Sequence, residues 1–139
     1  MIGTGYVGLV SGACFADLGN NVICVDQNKD KISMLNRNQI PIFEPGLKEI
    51  VKSNFSSGRL SFTSNLGDAV KKSDIIFICV GTPTYKNKNY ADLRFVFKAA
   101  KDLSKFINKF KIIVTKTTVP VTTGDKIEKI FLKKKKKKF

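Results

Sequence analysis

Three glycines at fixed offsets, Gly3, Gly5 and Gly8, open this 139-residue chain and narrow sharply what it can fold into. In the order G-x-G-x-x-G, such glycines begin a dinucleotide-binding βαβ unit. The first permits a tight turn off a strand, the second lets main chain approach a pyrophosphate, and the third lets a helix lie close on the sheet. The anion then rests on helix N–H groups that have no intrahelical partner. Three glycines recur by chance, so the flanking sequence has to carry the argument. Val7, Val10, Cys14 and Leu18 predict one helical face, stopped by Gly19-Asn20. Val22 to Val25 then read as a short buried strand that ends at Asp26. A carboxylate at that point accepts the two ribose hydroxyls of an adenosine, which favours NAD and repels the extra phosphate of NADP. With the glycines in place, the ribose role is preferred to that of a solvated strand end.

Strand-like and helix-like segments alternate from there on. A helix over 28–36 places Ile32 and Leu35 on one face, with Asn28 as N-cap. Lys31, five residues past Asp26, is within reach of the adenosine ribose or its phosphate. Two prolines and a glycine make 40–47 irregular. A short helix from Leu47 to Lys52, a turn at Ser56-Ser57-Gly58, an alternating strand from Leu60 to Thr63 and a helix capped by Ser64 or Asn65 follow. Ile75-Ile76-Phe77-Ile78-Cys79-Val80 predicts a parallel strand buried on both faces. Ligands in open α/β sheets lie beyond the carboxyl ends of the strands, so Gly81-Thr82-Pro83-Thr84 should border the same crevice as the glycine loop. Residues 85–90 read as an exposed polar loop, and Leu93, Val96, Phe97, Ala100, Leu103 and Ile107 as a helical core stripe. Ile112 to Val114 form another buried strand, and Thr122 or Thr123 caps a last helix that the lysine block interrupts. The expected fold is α/β, a Rossmann-like doubly wound parallel sheet. Only Met1 and Ile2 precede Gly3, so that sheet should lack most of its first strand.

Composition removes several classes. Histidine is absent, which excludes metal sites and Ser or Cys nucleophiles built on an imidazole. No metal is expected. Cys14, Cys24 and Cys79 all lie in apolar runs and read as buried reduced thiols. No apolar run approaches the roughly 20 residues of a transmembrane helix, and no secretory pattern opens the chain, so a cytoplasmic protein is expected. Lys133 to Lys138 hold six of the net +14 charges, leaving +8 elsewhere. The other lysines occupy polar positions of amphipathic segments without interleaved exposed aromatics. Binding to nucleic acid or a membrane surface is therefore not expected.

Four motifs in order, Gly3-Thr4-Gly5-Tyr6-Val7-Gly8, Phe43-Glu44-Pro45-Gly46-Leu47, Val80-Gly81-Thr82-Pro83-Thr84 and Lys116-Thr117-Thr118-Val119-Pro120-Val121, resemble the nucleotide-sugar dehydrogenases of the UDP-glucose/GDP-mannose dehydrogenase family. The resemblance runs to about Ile130. It implies oxidation of a sugar C6 alcohol to a carboxylate with two NAD⁺, turning UDP-glucose into UDP-glucuronate, with GDP-mannose as the alternative substrate. Carried over by position, it implies that Gly3, Gly5, Tyr6, Val7, Gly8, Asp26, Lys31, Thr82, Pro83 and Thr118 contact NAD. Thr118 is also implied to orient a water near the reacting carbon, and Glu44 and Pro45 to shape a loop beside the cofactor. The family's thioester-forming cysteine lies beyond this chain, none of whose cysteines matches its motif. The nucleotide-sugar site lies in a second domain, and the full-length family is expected to form homo-oligomers. Thr122 stands where many members have glycine.

The expected division is an NAD-binding domain over 1–132, truncated at both ends, and a lysine-rich tail over 133–139 that is disordered or an artefact of the reading frame. A non-catalytic NAD-binding module and a basic-tail interaction protein are the other readings. Loss of about five buried apolar residues from a central strand forfeits about 8 to 15 kcal/mol, comparable to a domain's whole stability of about 5 to 15. The chain alone is therefore expected to be at best marginally folded, to bind NAD weakly or not at all, and to be inactive.

Overall fold

Strand β1 (Val22–Val25) pairs in parallel with β2 (Leu60–Thr63), and β3 (Ile75–Ile78) with β4 (Ile112–Thr115). In this computed structural model, which describes residues 1–84 and 90–135, the last two by backbone alone, a single residue joins the pairs. Ile2 bridges Val25 on one side and Ile78 on the other, both in parallel. Its N–H donates to the Phe77 carbonyl at 2.8 Å, and the Gly3 N–H to the Val25 carbonyl at 2.7 Å. The order across the sheet is β2, β1, Ile2, β3, β4. That is the expected parallel arrangement, with its central position held by Met1 to Gly3 in place of a full strand.

Helices cover both faces. Successive side chains along a strand point to opposite sides, so Met1, Cys24 and Cys79 share one core while Ile2, Val25 and Ile78 share the other. The first core takes its helical residues from α1 (Tyr6–Asp17), α2 (Lys29–Asn36) and α3 (Leu47–Ser56). The second takes them from α4 (Leu66–Lys72), α5 (Arg94–Ser104) and α6 (Thr123–Lys135). The caps follow sequence. The Asn28 side chain accepts from the Lys31 N–H, and that of Asn65 from the Asp68 N–H.

Several expectations need correction. The buried face of α1 is Gly8, Leu9, Gly12, Ala13 and Ala16, while Val7, Cys14 and Leu18 are exposed. Apolar residues occur all round this helix, so periodicity does not orient it; closeness does. A Cβ on Gly12 would lie 2.8 Å from Cys24 Sγ, so only the small-residue face fits against β1. Cys14 is consequently not a buried thiol, though Cys24 and Cys79 are. Helix α3 runs to Ser56, four residues beyond its expected end, since Val51 and Asn54 remain buried. Strands β3 and β4 are not covered throughout: Ile75 and Ile112, paired in register, are 52% and 49% exposed. Among the described residues no strand lies on the outer side of β4, and Ile75 lies further back than Met1 reaches. Helix α6 continues to Lys135, three residues into the lysine block. The expected tail beyond Lys135 and the loop at 85–89 lie outside the described residues; Tyr90 is exposed.

One turn carries strain. The Thr123 N–H donates to the Pro120 carbonyl at 3.2 Å, and between them Thr122 has φ +76. A four-residue turn with only its third residue at positive φ is type II, which favours glycine there and penalises a β-branched side chain. Thr122→Gly is expected to raise stability by about 0.5 to 1 kcal/mol, after allowance for the freer unfolded chain. Urea melts of the two proteins check this; a lower midpoint for the glycine variant would refute the strain.

Candidate functional site

The carboxyl ends of β1 and β3 splay apart around the glycine loop, leaving a cleft of about 780 Å³. Gly3, Gly5, Tyr6, Val7, Asp26, Lys31, Thr82, Pro83 and Thr118 all line it, so four separated stretches of sequence meet there. Gly8 is not in the lining. A Cβ on Gly8 would overlap the Gly3 carbonyl oxygen and come within 3.1 Å of Cys79 Cβ, so its role is the close packing of α1. Gly3 has φ +101, and a Cβ there would lie 2.8 Å from the Cys79 carbonyl oxygen. Gly5 is different. Its φ of −78 suits any residue, and a Cβ on it would meet nothing within 4 Å. Neither backbone geometry nor internal packing calls for glycine at this N-cap, which opens on the cleft. A ligand approaching the first-turn N–H groups of α1 does call for it.

Asp26 is held from three directions. Its Oδ2 accepts from the Thr4 hydroxyl at 2.7 Å and the Thr4 N–H at 2.9 Å, and lies 3.5 Å from Lys31 Nζ. Its Oδ1 accepts from the Asn28 N–H at 3.0 Å. Burial pushes the carboxyl pKa up, but the Asn28 N–H, the two Thr4 donors and the Lys31 charge outweigh it and hold the group below its ordinary value. Asp26 is therefore anionic at neutral pH and fixed in direction, as a ribose acceptor needs to be.

The far rim is tied across strands. The Thr117 hydroxyl donates to the Val80 carbonyl at 2.6 Å, and the Thr82 hydroxyl to the Thr118 carbonyl at 3.3 Å. These bonds set the loops after β3 and β4 against each other and fix Thr118 at the cleft edge. Tyr6 and Val7, 56% and 46% exposed, offer apolar surface at the start of α1.

The sequence pattern does not single out several lining residues. Leu66 comes from α4, while Phe95, Lys98, Ala99 and Asp102 come from α5. Lys98 Nζ lies 3.4 Å from Gln27 Oε1 and 3.1 Å from Asp102 Oδ2. No local motif marks these positions, because their place in the cleft follows from how α5 crosses the sheet. Thr4 sits between two motif glycines and is fully buried; a hydroxyl in an otherwise apolar opening is the signal that points to it. Glu44 and Pro45, implied to lie beside the cofactor, are exposed and do not line the cleft. They belong to a turn closed by the Leu47 N–H on the Glu44 carbonyl, with Gly46 at φ +78. Among the described residues, no group of three His, Cys, Asp or Glu side chains is placed to hold a metal ion, and no helix is long and apolar enough to cross a membrane.

Residues 1–139 match the model of the UDP-glucose/GDP-mannose dehydrogenase family, NAD binding domain. The chain belongs to the UDP-glucose/GDP-mannose dehydrogenase family. UDP-glucose 6-dehydrogenase of Rhizobium meliloti (strain 1021) is 55% identical over 130 residues, 94% of this chain and 30% of that protein. TuaD, a UDP-glucose 6-dehydrogenase of Bacillus subtilis (strain 168), is 48% identical over the whole chain and 30% of its own length. A ternary complex of GDP-mannose dehydrogenase from Pseudomonas aeruginosa superimposes with a TM-score of 0.90 at 34% identity, over 96% of this chain and 31% of that one. This member of the family thus spans about 30% of the length of the curated relatives it matches. Its fold is the family's NAD-binding α/β domain, and the Asp26, Gly5 and Thr118 cleft occupies the switch point of the parallel sheet, where the strand order runs outward to β1 and β2 on one side and to β3 and β4 on the other.

Proposed function

We propose that the chain is the coenzyme-binding part of an enzyme that oxidises the C6 alcohol of UDP-glucose to the carboxylate of UDP-glucuronate. The observation that carries the coenzyme reading is Gly5: an N-cap open to the cleft that nothing inside the protein requires to be glycine, with the anionic Asp26 lining the same cleft. Identity of 55% to a UDP-glucose 6-dehydrogenase favours UDP-glucose as the sugar. The close likeness to a GDP-mannose dehydrogenase structure favours GDP-mannose as the second reading.

In this reading the α1 N-terminus receives the pyrophosphate, Asp26 and Lys31 the adenosine ribose, and Tyr6, Val7 and Pro83 the apolar surfaces. NAD, when bound, supplies the acceptor for hydride, and two equivalents account for the four electrons separating alcohol from carboxylate. Thr82 and Thr117 hold the rim rigid, so that Thr118 presents its hydroxyl to a water at the reacting carbon. The nucleotide sugar, the nucleophilic cysteine and the homo-oligomeric contacts belong to the remainder of the full-length enzyme, which we place in the cytoplasm. Residues 1–132 act as the coenzyme domain, with the lysines from 133 as an appendage.

Calorimetric titration with NAD tests the first part. Asp26→Ala is expected to weaken NAD by about tenfold or more while affecting NADP less, since two charge-assisted hydrogen bonds are lost. An unchanged NAD affinity would overturn the site. NADH formation by the full-length enzyme should follow UDP-glucose in preference to GDP-mannose, whereas the 139-residue chain alone should form none.

A further inference from the structure

A carboxylate offers about four lone-pair positions, and Asp26 has spent most of them before any ligand arrives. Oδ2 takes both the Thr4 hydroxyl and the Thr4 N–H and also faces Lys31, whereas Oδ1 takes only the Asn28 N–H. Oδ1 thus keeps one vacant position and Oδ2 keeps none. A ribose diol needs two. Of the four contacts, the 3.5 Å one to Lys31 is the longest, and the Lys31 side chain is 29% exposed while Thr4 is completely buried. Lys31 is the partner able to leave; Thr4 is not.

We propose that Thr4 is a positioning residue that sets coenzyme selectivity: its buried hydroxyl locks Asp26 Oδ2, so that the carboxylate stands facing the adenosine ribose and a 2′-phosphate is refused. The proposal rests on the coenzyme reading above. When the diol arrives, one hydroxyl takes the vacant position on Oδ1 and the other makes a third, shared contact with Oδ2 in the place that Lys31 gives up. Without the Thr4 hydroxyl, the Thr4 and Asn28 N–H groups alone hold Asp26, and its Oδ2 can swing closer to Lys31. The refusal of a 2′-phosphate then weakens. Lys98, which lines the same cleft and is 58% exposed beside Asp102, is then the cation that meets the phosphate. Thr4 thus sets a preference that a lone acidic residue would not guarantee.

The test compares Thr4→Val, which keeps the shape and loses the hydroxyl, with Thr4→Ser, which keeps the hydroxyl. The measured quantity is the ratio of NADP to NAD dissociation constants by calorimetry, which does not depend on what fraction of the protein is folded. Thr4→Val should lower the ratio by about tenfold, the value of one charge-assisted hydrogen bond, and Thr4→Ser should hold it within about twofold. A second reading needs no ligand: the carbon-13 titration of the Asp26 carboxyl should move up toward the ordinary value in Thr4→Val and return in Thr4→Ser. Should Thr4→Val fail to fold, the hydroxyl proton of Thr4 in the unsubstituted protein decides, protected from exchange and coupled to Asp26 if the lock exists, and in free exchange if it does not. An unchanged ratio and titration in Thr4→Val, or a serine variant as impaired as the valine one, would overturn the proposal. Failure of the unsubstituted protein to bind either dinucleotide would instead overturn the coenzyme reading, with the Asp26 titration still judging the lock.

Discussion

Gly8→Ala is expected to cost the chain a large part of its folding stability, whereas Gly5→Ala should leave the fold standing and weaken NAD binding. These opposite outcomes come from glycines three residues apart. A methyl group on Gly8 has nowhere to go, because it would overlap a backbone oxygen of Gly3 and crowd Cys79 Cβ. Gly3 belongs to the sheet's central segment and Cys79 follows β3 beside it, and neither clashing atom is the end of a flexible side chain. Relief requires α1 to lift off β1, where Gly12 leaves no slack either. Overpacking of this kind costs about 3 kcal/mol or more, a large part of a net stability near 5 to 15. A methyl on Gly5 meets nothing, and its backbone is in an ordinary region, so the cost is only the few tenths of a kcal/mol lost on replacing glycine at an N-cap. In the proposed function the same methyl would stand between the pyrophosphate and the first-turn N–H groups, and NAD affinity should then fall by about 30-fold or more. Circular dichroism melts and calorimetry on both variants separate the two. A Gly5→Ala protein with native affinity would show that the loop does not receive the phosphates.

Extending the chain ahead of Met1 by four or five apolar, β-branched residues should raise its stability by about 3 to 6 kcal/mol, shifting the melting temperature by about 10 to 20 °C. Strands β1 and β3 reach back to Val22 and Ile75, but the segment between them pairs only through Ile2. Behind it lies a small hollow bordered by Met1, Ile23, Ile75 and Ile76. The Met1 amino group is buried there and donates to the Ile23 carbonyl at 2.8 Å; burial pushes its pKa down, Cys24 and Cys79 notwithstanding. An added strand turns that ammonium into a peptide N–H and covers Ile75. The gain per buried side chain, about 1.5 to 3 kcal/mol, exceeds the cost of ordering a residue by a modest margin, which is why the expected total falls below the 8 to 15 of simple burial. A melting temperature that does not move would mean that the sheet closes without a central strand.

Much of this was legible because it was local. The glycine offsets, the Asn28 and Asn65 caps, the alternation of Leu60 to Thr63 and the acid at the end of β1 depend on neighbours in sequence, and all stand as expected. The orientation of α1 was not legible, since a helix apolar all round is oriented by which residues are small enough to approach the sheet. Exposure of Ile75 and Ile112 was equally hidden, because a run of apolar residues records what a strand can bury, not what flanks it. Within the cleft, Asp26 and Thr118 announce themselves through motifs. Lys98 and Phe95 arrive on a helix whose pattern speaks only of its buried side, and the hydroxyl of Thr4 stands out in its apolar surroundings without naming Asp26 as its partner.

The bridge at Ile2 gives the molecule an unusual mechanics. Two leaves of sheet are pinned edge to edge at Ile2 and tied again by the apolar layer beneath, where Ile23 and Val25 pack with Ile76 and Ile78, and the ligand recess opens beside that pin. Whatever clamps the leaves together, a guest lying across the pin included, gains purchase on the whole molecule from a very small footprint.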